Sequence, residues 1–360
     1  MNVKSKILLF LLLPLWACAH QGDIEFKRTV AKEFTVNSNA KLDVYNKYGK
    51  IIVHTWAKNQ IKATVIITGY GKSSSEAQEI ANGVDIQTNA DAGAVSMQTS
   101  YNPSKGSKWF SWGNRKDSKD YVNIDYELYV PQNLNLLTLE NNFGDVITDE
   151  LPFAAKMRLN YCFYAIREAG KTLEMDLNYC NKGKIDKAAD LQIKANYSDI
   201  RCDAADKLDT KSNYSDYTLG SVGTLITKAN YSDYKIRQVG SLSATANYSD
   251  FNVANLRENL DARLTYGDMK VKEIQSAFKG GDIQLSYSDI DLIFAPKVAL
   301  RLSINLNYGD LGIDGLPVKN VSSVKKNTHL AYSATTASGG EQSPMLNING
   351  SQSDVNIKEQ

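Results

Sequence analysis

Across residues 191–250 apolar or small residues alternate with polar ones, and the alternation slips at a fixed place. Leu191, Ile193 and Ala195 share one parity, then Asn196, Tyr197, Ser198 and Asp199 intervene, and the apolar positions resume at Ile200 and Cys202. Period-two alternation marks a half-buried strand, so each slip marks a corner between strands. The same four-residue word recurs at 196–199, 213–216, 230–233 and 247–250, placing Tyr197, Tyr214, Tyr231 and Tyr248 at intervals of 17 residues. A fixed period of this kind means that each unit is one structural step stacked on its neighbour.

Corner aromatics extend the series to Phe143, Tyr161, Tyr179, Tyr197, Tyr214, Tyr231, Tyr248, Tyr266, Tyr287 and Tyr308, at steps of 18, 18, 18, 17, 17, 17, 18, 21 and 21. Counting through the word at period two puts each tyrosine on the inward face, with Asp199, Asp216, Asp233 and Asp250 completing the bend. Small residues two before the ring, Ala195, Ser212, Ala229 and Ala246, fit a thin core in which a large side chain needs a small neighbour. Hairpins in an antiparallel meander are the competing arrangement. Identical turns at one phase, with no alternation between odd and even units, favour coils paired in parallel. The expected fold is all-β, a parallel β-solenoid (a single-stranded β-helix) of about 10–11 coils with 17–21 residues each.

The flanks read less regularly. Residues 20–39 are a polar lead-in or tether. Residues 40–130 form an N-terminal β-rich cap, in which Leu42, Val44, Asn46 and Tyr48 followed by Ile51 and Val53 repeat the corner grammar. Strands are expected at 61–70, 84–88, 95–101 and 121–130, and one short helix where Ser73, Ser74, Ser75 and Glu76 precede Ala77, Ile80 and Ala81. Residues 102–120 form an exposed loop, 131–315 the solenoid repeats, and 316–360 a C-terminal capping segment that covers an open strand edge.

Charge narrows the partners: 41 Lys+Arg against 40 Asp+Glu provide no electrostatic reason to bind nucleic acid. Length alone suggests two or three domains, but a repeat array runs as one body. Residues 1–19 read as a signal peptide, with Lys4 and Lys6 before an apolar run that ends at Trp16. Two processing routes stay open: lipidation of Cys18 after Leu15, Trp16 and Ala17, or ordinary cleavage around Ala17, Cys18 and Ala19. Either route exports the chain, and contact with a membrane is expected only through a lipid at Cys18.

Candidate chemistry is sparse. Stacked Asn and Asp could ligate calcium, but the same residues serve their own turns, and the glycine-rich nonapeptide period of calcium-binding solenoids is missing; no cofactor is expected. The Asn-x-Ser pattern at Asn196, Asn213, Asn230 and Asn247 matches a glycosylation acceptor, yet glycans on adjacent coils would crowd. Cys162 and Cys180 occupy equivalent corners, where stacking brings their Cα atoms within disulfide range. Parallel in-register side chains point alongside one another, which opposes a bridge, and Cys202 reads as a small core residue. The histidines, His20, His54 and His329, form no pair at metal-ligand spacing. One cluster breaks the repeat: Trp109, Phe110 and Trp112 beside Lys108 and Arg115, aromatics among cations that suit sugar stacking, a membrane interface or a partner protein. The alternative is a loop whose aromatics fold over the solenoid end.

Asn46-Lys47-Tyr48-Gly49, Tyr126-Glu127-Leu128-Tyr129-Val130-Pro131, Asn142-Phe143-Gly144-Asp145 and the later Tyr-Ser/Gly-Asp coils resemble the bacterial putative-adhesin family of exported β-strand-repeat proteins, over roughly residues 28–357. The resemblance implies adhesion to a surface, glycan or protein partner in the cell envelope and no shared catalytic residues; the Trp-rich loop departs from it. Three functions are carried forward: a non-enzymatic binding solenoid, a polysaccharide-acting enzyme on a β-helix scaffold, and a periplasmic component of an envelope-stress circuit.

Overall fold

The structure, a computed structural model, describes residues 24–101 and 121–360. One residue type sets the register of its centre. Leu173, Leu191, Leu208, Leu225, Leu242 and Leu260 pair in succession, and each is at most 1% exposed. Such a column buries a side chain in every layer, worth ~1.5–3 kcal/mol apiece.

The strand Asp199–Asn213 shows how one coil is built. Its first half stacks between Gly183–Asn196 and Asp216–Asn230 on one ladder; its second half stacks between the same neighbours on the other. The chain therefore winds as a flattened parallel β-solenoid with two ladders, and all pairings between residues 136 and 294 are parallel. Antiparallel pairing is confined to the two ends, among the described residues.

At the corner the structure corrects the expected direction of the tyrosines. Tyr197, Tyr214, Tyr231 and Tyr248 sit at φ 50–51°, a left-handed conformation that inserts one residue into the alternation. Asn and Tyr thus both face outward, and the following Ser198, Ser215, Ser232 or Ser249 turns in, at most 1% exposed. Period-two counting fails here because it assumes extended backbone through the tyrosine. The small residues before the corner do accommodate rings, but those of the following strands. Tyr217, Tyr234 and Phe251 stack inside the coil at 4.5 and 4.8 Å, and Ser212 Oγ donates to the Tyr217 hydroxyl at 2.8 Å.

Among the described residues twelve left-handed corners follow this plan: Tyr48, Phe143, Tyr161, Tyr179, Tyr197, Tyr214, Tyr231, Tyr248, Tyr266, Tyr287, Tyr308 and Gln352. Two of them change the expected boundaries. Lys41–Lys47 and Ile51–Trp56 pair in parallel with Leu136–Asn142 and Val146–Leu151, so residues 41–56 are the first coil rather than part of a cap. What caps the rod is the excursion after it. Gln60–Gly71 and Tyr121–Pro131 pair antiparallel, Val84–Ala90 pairs with Ala94–Tyr101, and the helix Ser74–Asn82 lies over Gly69 and Gly71. Ser73 caps that helix, its hydroxyl accepting from the Glu76 N–H at 3.2 Å.

The expected lead-in is also structured from residue 24 onward. Ile24–Thr35 pairs along its length with Gln60–Gly71, and Phe26, Val30 and Phe34 pack against the core. Arg28 and Lys32 interrupt that apolar face, which made it read as polar. At the other end, His329–Thr336 lies antiparallel on Arg301–Asn307 and is followed outward by Val318–Lys326. Met345–Ser351 and Val355–Glu359 do not add to this end. They lie between the coil of Gly281–Ser286 and Ile290–Phe294 and the coil of Arg301–Asn307 and Leu311–Asp314.

Candidate functional site

The left-handed corner does more than turn the chain: at eleven of the twelve corners, all but Gln352, it projects a ring. Tyr48, Phe143, Tyr161, Tyr179, Tyr197, Tyr214, Tyr231, Tyr248, Tyr266 and Tyr287 form one stack, neighbouring centroids 4.8–5.6 Å apart and planes within 18° of parallel. From Phe143 to Tyr287 each ring side chain is 46–53% exposed. Ring faces are covered by their neighbours, so the ribbon shows solvent its edges and, at the tyrosines, its phenol hydroxyls. Gln352, in the interposed coil, ends the stack, and Tyr308 beyond it is 68% exposed.

Three polar columns flank the rings. On one side Asn142, Asn160, Asn178, Asn196, Asn213, Asn230 and Asn247 form an amide ladder in which each Nδ2 donates to the Oδ1 of the preceding coil at 2.7–3.2 Å. Inside the bend, the Ser198, Ser215 and Ser232 N–H groups donate to the serine Oγ of the next coil, at 2.9–3.1 Å. On the far side, Oδ1 of Asp216, Asp233, Asp250, Asp268, Asp289 and Asp354 accepts the aspartate N–H one layer on, at 2.8–3.3 Å. The aspartates therefore serve the turn backbone with one oxygen and leave the other facing water. Among the described residues no group of three or more His, Cys, Asp or Glu is arranged to hold a metal ion.

Cys162 and Cys180 prove to be members of the serine column. Both are free and buried, which corrects the disulfide considered from their spacing. Cys162 Sγ donates to the Asn160 and Asn141 carbonyls, each at 3.2 Å, and Cys180 Sγ to those of Asn178 and Leu159, each at 3.4 Å. Parallel stacking points the two thiols the same way, toward backbone rather than toward each other. Burial raises the three thiols among the described residues, Cys162 to about 11 and Cys202 to about 12.

On the face before the corner, Lys194, Lys211 and Lys228 stack in register. Beside them lies a shallow groove of about 310 Å³, whose lining includes Glu140, Lys156, Arg158 and Glu174. Arg158 reaches Glu140 at 2.7 Å and Lys156 reaches Glu174 at 3.0 Å. Solvated pairs of this kind contribute little. The expected binding loop of Lys108, Trp109, Phe110, Trp112 and Arg115 lies outside the described residues, as does Cys18.

A second cluster had no signal in the sequence. His54 Nδ1 lies 2.7 Å from Asp149 Oδ2, its Nε2 lies 3.7 Å from Glu127 Oε1, and its ring is 4.9 Å from that of Tyr129. Trp56 packs on Tyr129 at 5.4 Å, with Lys58 4.9 Å above the indole. These residues meet because three parallel strands place them in register; no local spacing announces it.

The family model described as Toastrack DUF4097 matches residues 127–358. The chain belongs to this family. Its matched portion takes in the corners from Phe143 to Gln352, while the first coil and its excursion precede most of the match. No curated protein matches. Solved structures similar to this Toastrack chain include a putative adhesin from Bacteroides fragilis, 11% identical, covering 92% of this chain and 97% of that one, with TM-score 0.29. A putative adhesin from Parabacteroides distasonis is 10% identical over 92% and 97%, TM-score 0.32. A putative lipid binding protein from the same organism is 10% identical over 91% and 96%, TM-score 0.28.

Proposed function

We propose that this chain is a non-enzymatic, exported cell-envelope solenoid that binds a linear, hydroxyl-rich glycan along the aromatic corner ribbon. The observation that carries the reading is the stack of ten corner rings. Gln352 makes the same turn at φ 51° without an aromatic, so the bend does not demand one. A left-handed conformation strains a non-glycine residue by ~1–2 kcal/mol, while an aromatic pair returns ~0.5–1.5 kcal/mol. That return comes on top of the apolar area the stacked faces bury, so the ladder also stabilises the rod; what points to a ligand is that each ring residue from Phe143 to Tyr287 keeps about half of its surface exposed. Because the ring faces are covered, the ribbon does not suit a single sugar ring stacked flat. It offers a repeating line of phenol hydroxyls and apolar edges between amides and carboxylates, a pattern that suits a polymer lying along the rod. The apolar segment before Cys18 supports export, and attachment by lipid at Cys18 belongs to the same proposal.

The test is replacement of Tyr197, Tyr214, Tyr231 and Tyr248 together by Asn, which tolerates the left-handed region. Binding of the full chain on an array of neutral and anionic polysaccharides is expected to fall at least about tenfold, equivalent to ~1.4 kcal/mol, with an unchanged far-ultraviolet circular dichroism spectrum. Retained binding would remove the ribbon from the model, and turnover of any polysaccharide by the wild-type chain would favour the enzyme reading instead.

A further inference from the structure

The interposed coil breaks the rule that sequence neighbours are spatial neighbours. Tyr266, Tyr287 and Tyr308 are spaced by the same 21 residues, yet only the first pair stacks. Between the coils of Tyr287 and Tyr308 lie Met345–Ser351 and Val355–Glu359, parallel to both walls. The registers align across the insert: Ile283 pairs with Ile348 and Ile348 with Ile304, while Leu292 pairs with Ile357 and Ile357 with Ile313. Apolar residues would face apolar residues equally well if the insert left and the walls closed. The insert also carries the corner code. Ser353 Oγ accepts from Ser288 N at 3.1 Å, Asp354 N donates to Asp289 Oδ1 at 2.8 Å, and Asp354 Oδ1 accepts from Asp310 N at 2.8 Å. Its side chains Leu346, Ile348, Val355 and Ile357 are fully buried. It is tied to the hairpin 318–336 by the stretch 337–344, in which Gly340 has open space around it.

We propose that the gap between these two coils is a strand-acceptor site, and that its partner is the 345–359 segment of a second copy of this chain, exchanged with the resident one to form a swapped dimer. Strand addition draws affinity from main-chain hydrogen bonds and specificity from alternate side chains, and both walls here are written for this sequence. Exchange of an identical element is a low-cost route to dimers, and the stretch 337–344, whose local turns are closed by Gly339 N–H to Thr336 O and Ser343 N–H to Gly340 O, would serve as the hinge. The inward alternation of Leu346, Ile348 and Gly350, then Val355 and Ile357, restricts the occupant to strands with this pattern.

The experiment uses the full chain and a fluorescent peptide of residues 341–360. The variant Ile348→Asp/Ile357→Asp cannot seat its own segment and is expected to take up one peptide per chain, at least about tenfold more than wild type in the same time; a peptide carrying both aspartates is not taken up. Wild-type chain, concentrated and warmed, gives dimers by light scattering, and the variant alone does not. On unvaried wild type, hydrogen exchange is expected to release 345–359 as a block at least about tenfold faster than 191–250. A folded variant that takes up no peptide, a variant that loses its β-sheet spectrum, a wild type that stays monomeric, or equal protection of the two regions would each overturn the proposal.

Discussion

Tyr214 holds φ at 50°, and that one dihedral decides that its ring meets water while Ser215 meets the core. The serine column shows the same logic from inside, since its hydroxyl satisfies a buried N–H that the tight bend would otherwise orphan. A thiol does this job more weakly, which is why Cys162 and Cys180 fit the column without becoming reactive. Burial removes solvation from the thiolate, lifting Cys162 to about 11 and Cys202 to about 12 from 9.0. Their contribution to stability is thus complete below the unfolded thiol's value and is lost as pH climbs through 11 and 12. Iodoacetamide at pH 8.5 is expected to modify Cys162 and Cys202 of the native chain on the order of a hundredfold more slowly than in the urea-unfolded chain, because the thiolate is the nucleophile. Equal rates, read by mass spectrometry, would show the thiols to be accessible. The spacing of the cysteines was legible in the sequence; their direction was not, because it follows from parallel stacking.

Within one element, the ring of Tyr164 determines what the strand above can carry. A Cβ placed on Gly183 would lie 2.1 Å from Cε1 of that buried ring, so the strand Gly183–Asn196 must begin with glycine to pass over it. Gly183→Ala is expected to destabilise the chain by ~3 kcal/mol through overpacking, and Tyr164→Leu in the same chain should restore most of the loss. A urea-unfolding double-mutant cycle with no coupling between the sites would remove this contact from the account. Period-two alternation located nearly every strand, including Gln60–Gly71 and Tyr121–Pro131. It missed the strands Val318–Lys326 and His329–Thr336 of the capping segment, and Ile24–Thr35, where Arg28 and Lys32 share a face with Phe26, Val30 and Phe34. Long side chains lay their stems along apolar surface, and a hydropathy pattern counts them as polar.

For the whole molecule, coils touch mainly their neighbours, so stability is a chain of interfaces. Leu225 is fully buried between Leu208 and Leu242. Leu225→Asp puts an unpaired charge into that central layer and is expected to split the urea transition into two steps, with residues on both sides retaining slow hydrogen exchange. A single transition would mean that the rod unfolds as one cooperative unit.

Coil period, inward leucines, corner positions and parallel winding were all determined by the sequence by itself, because each is a local pattern repeated until it has one consistent solution. Tertiary structure alone decided the outward rings, the His54 cluster and the coil interposed between those of Tyr287 and Tyr308. The reason is physical: a left-handed residue shifts parity without changing composition, and the partners of His54 and of the interposed coil lie 73–95 and 44–65 residues away, beyond any periodicity a single chain can display.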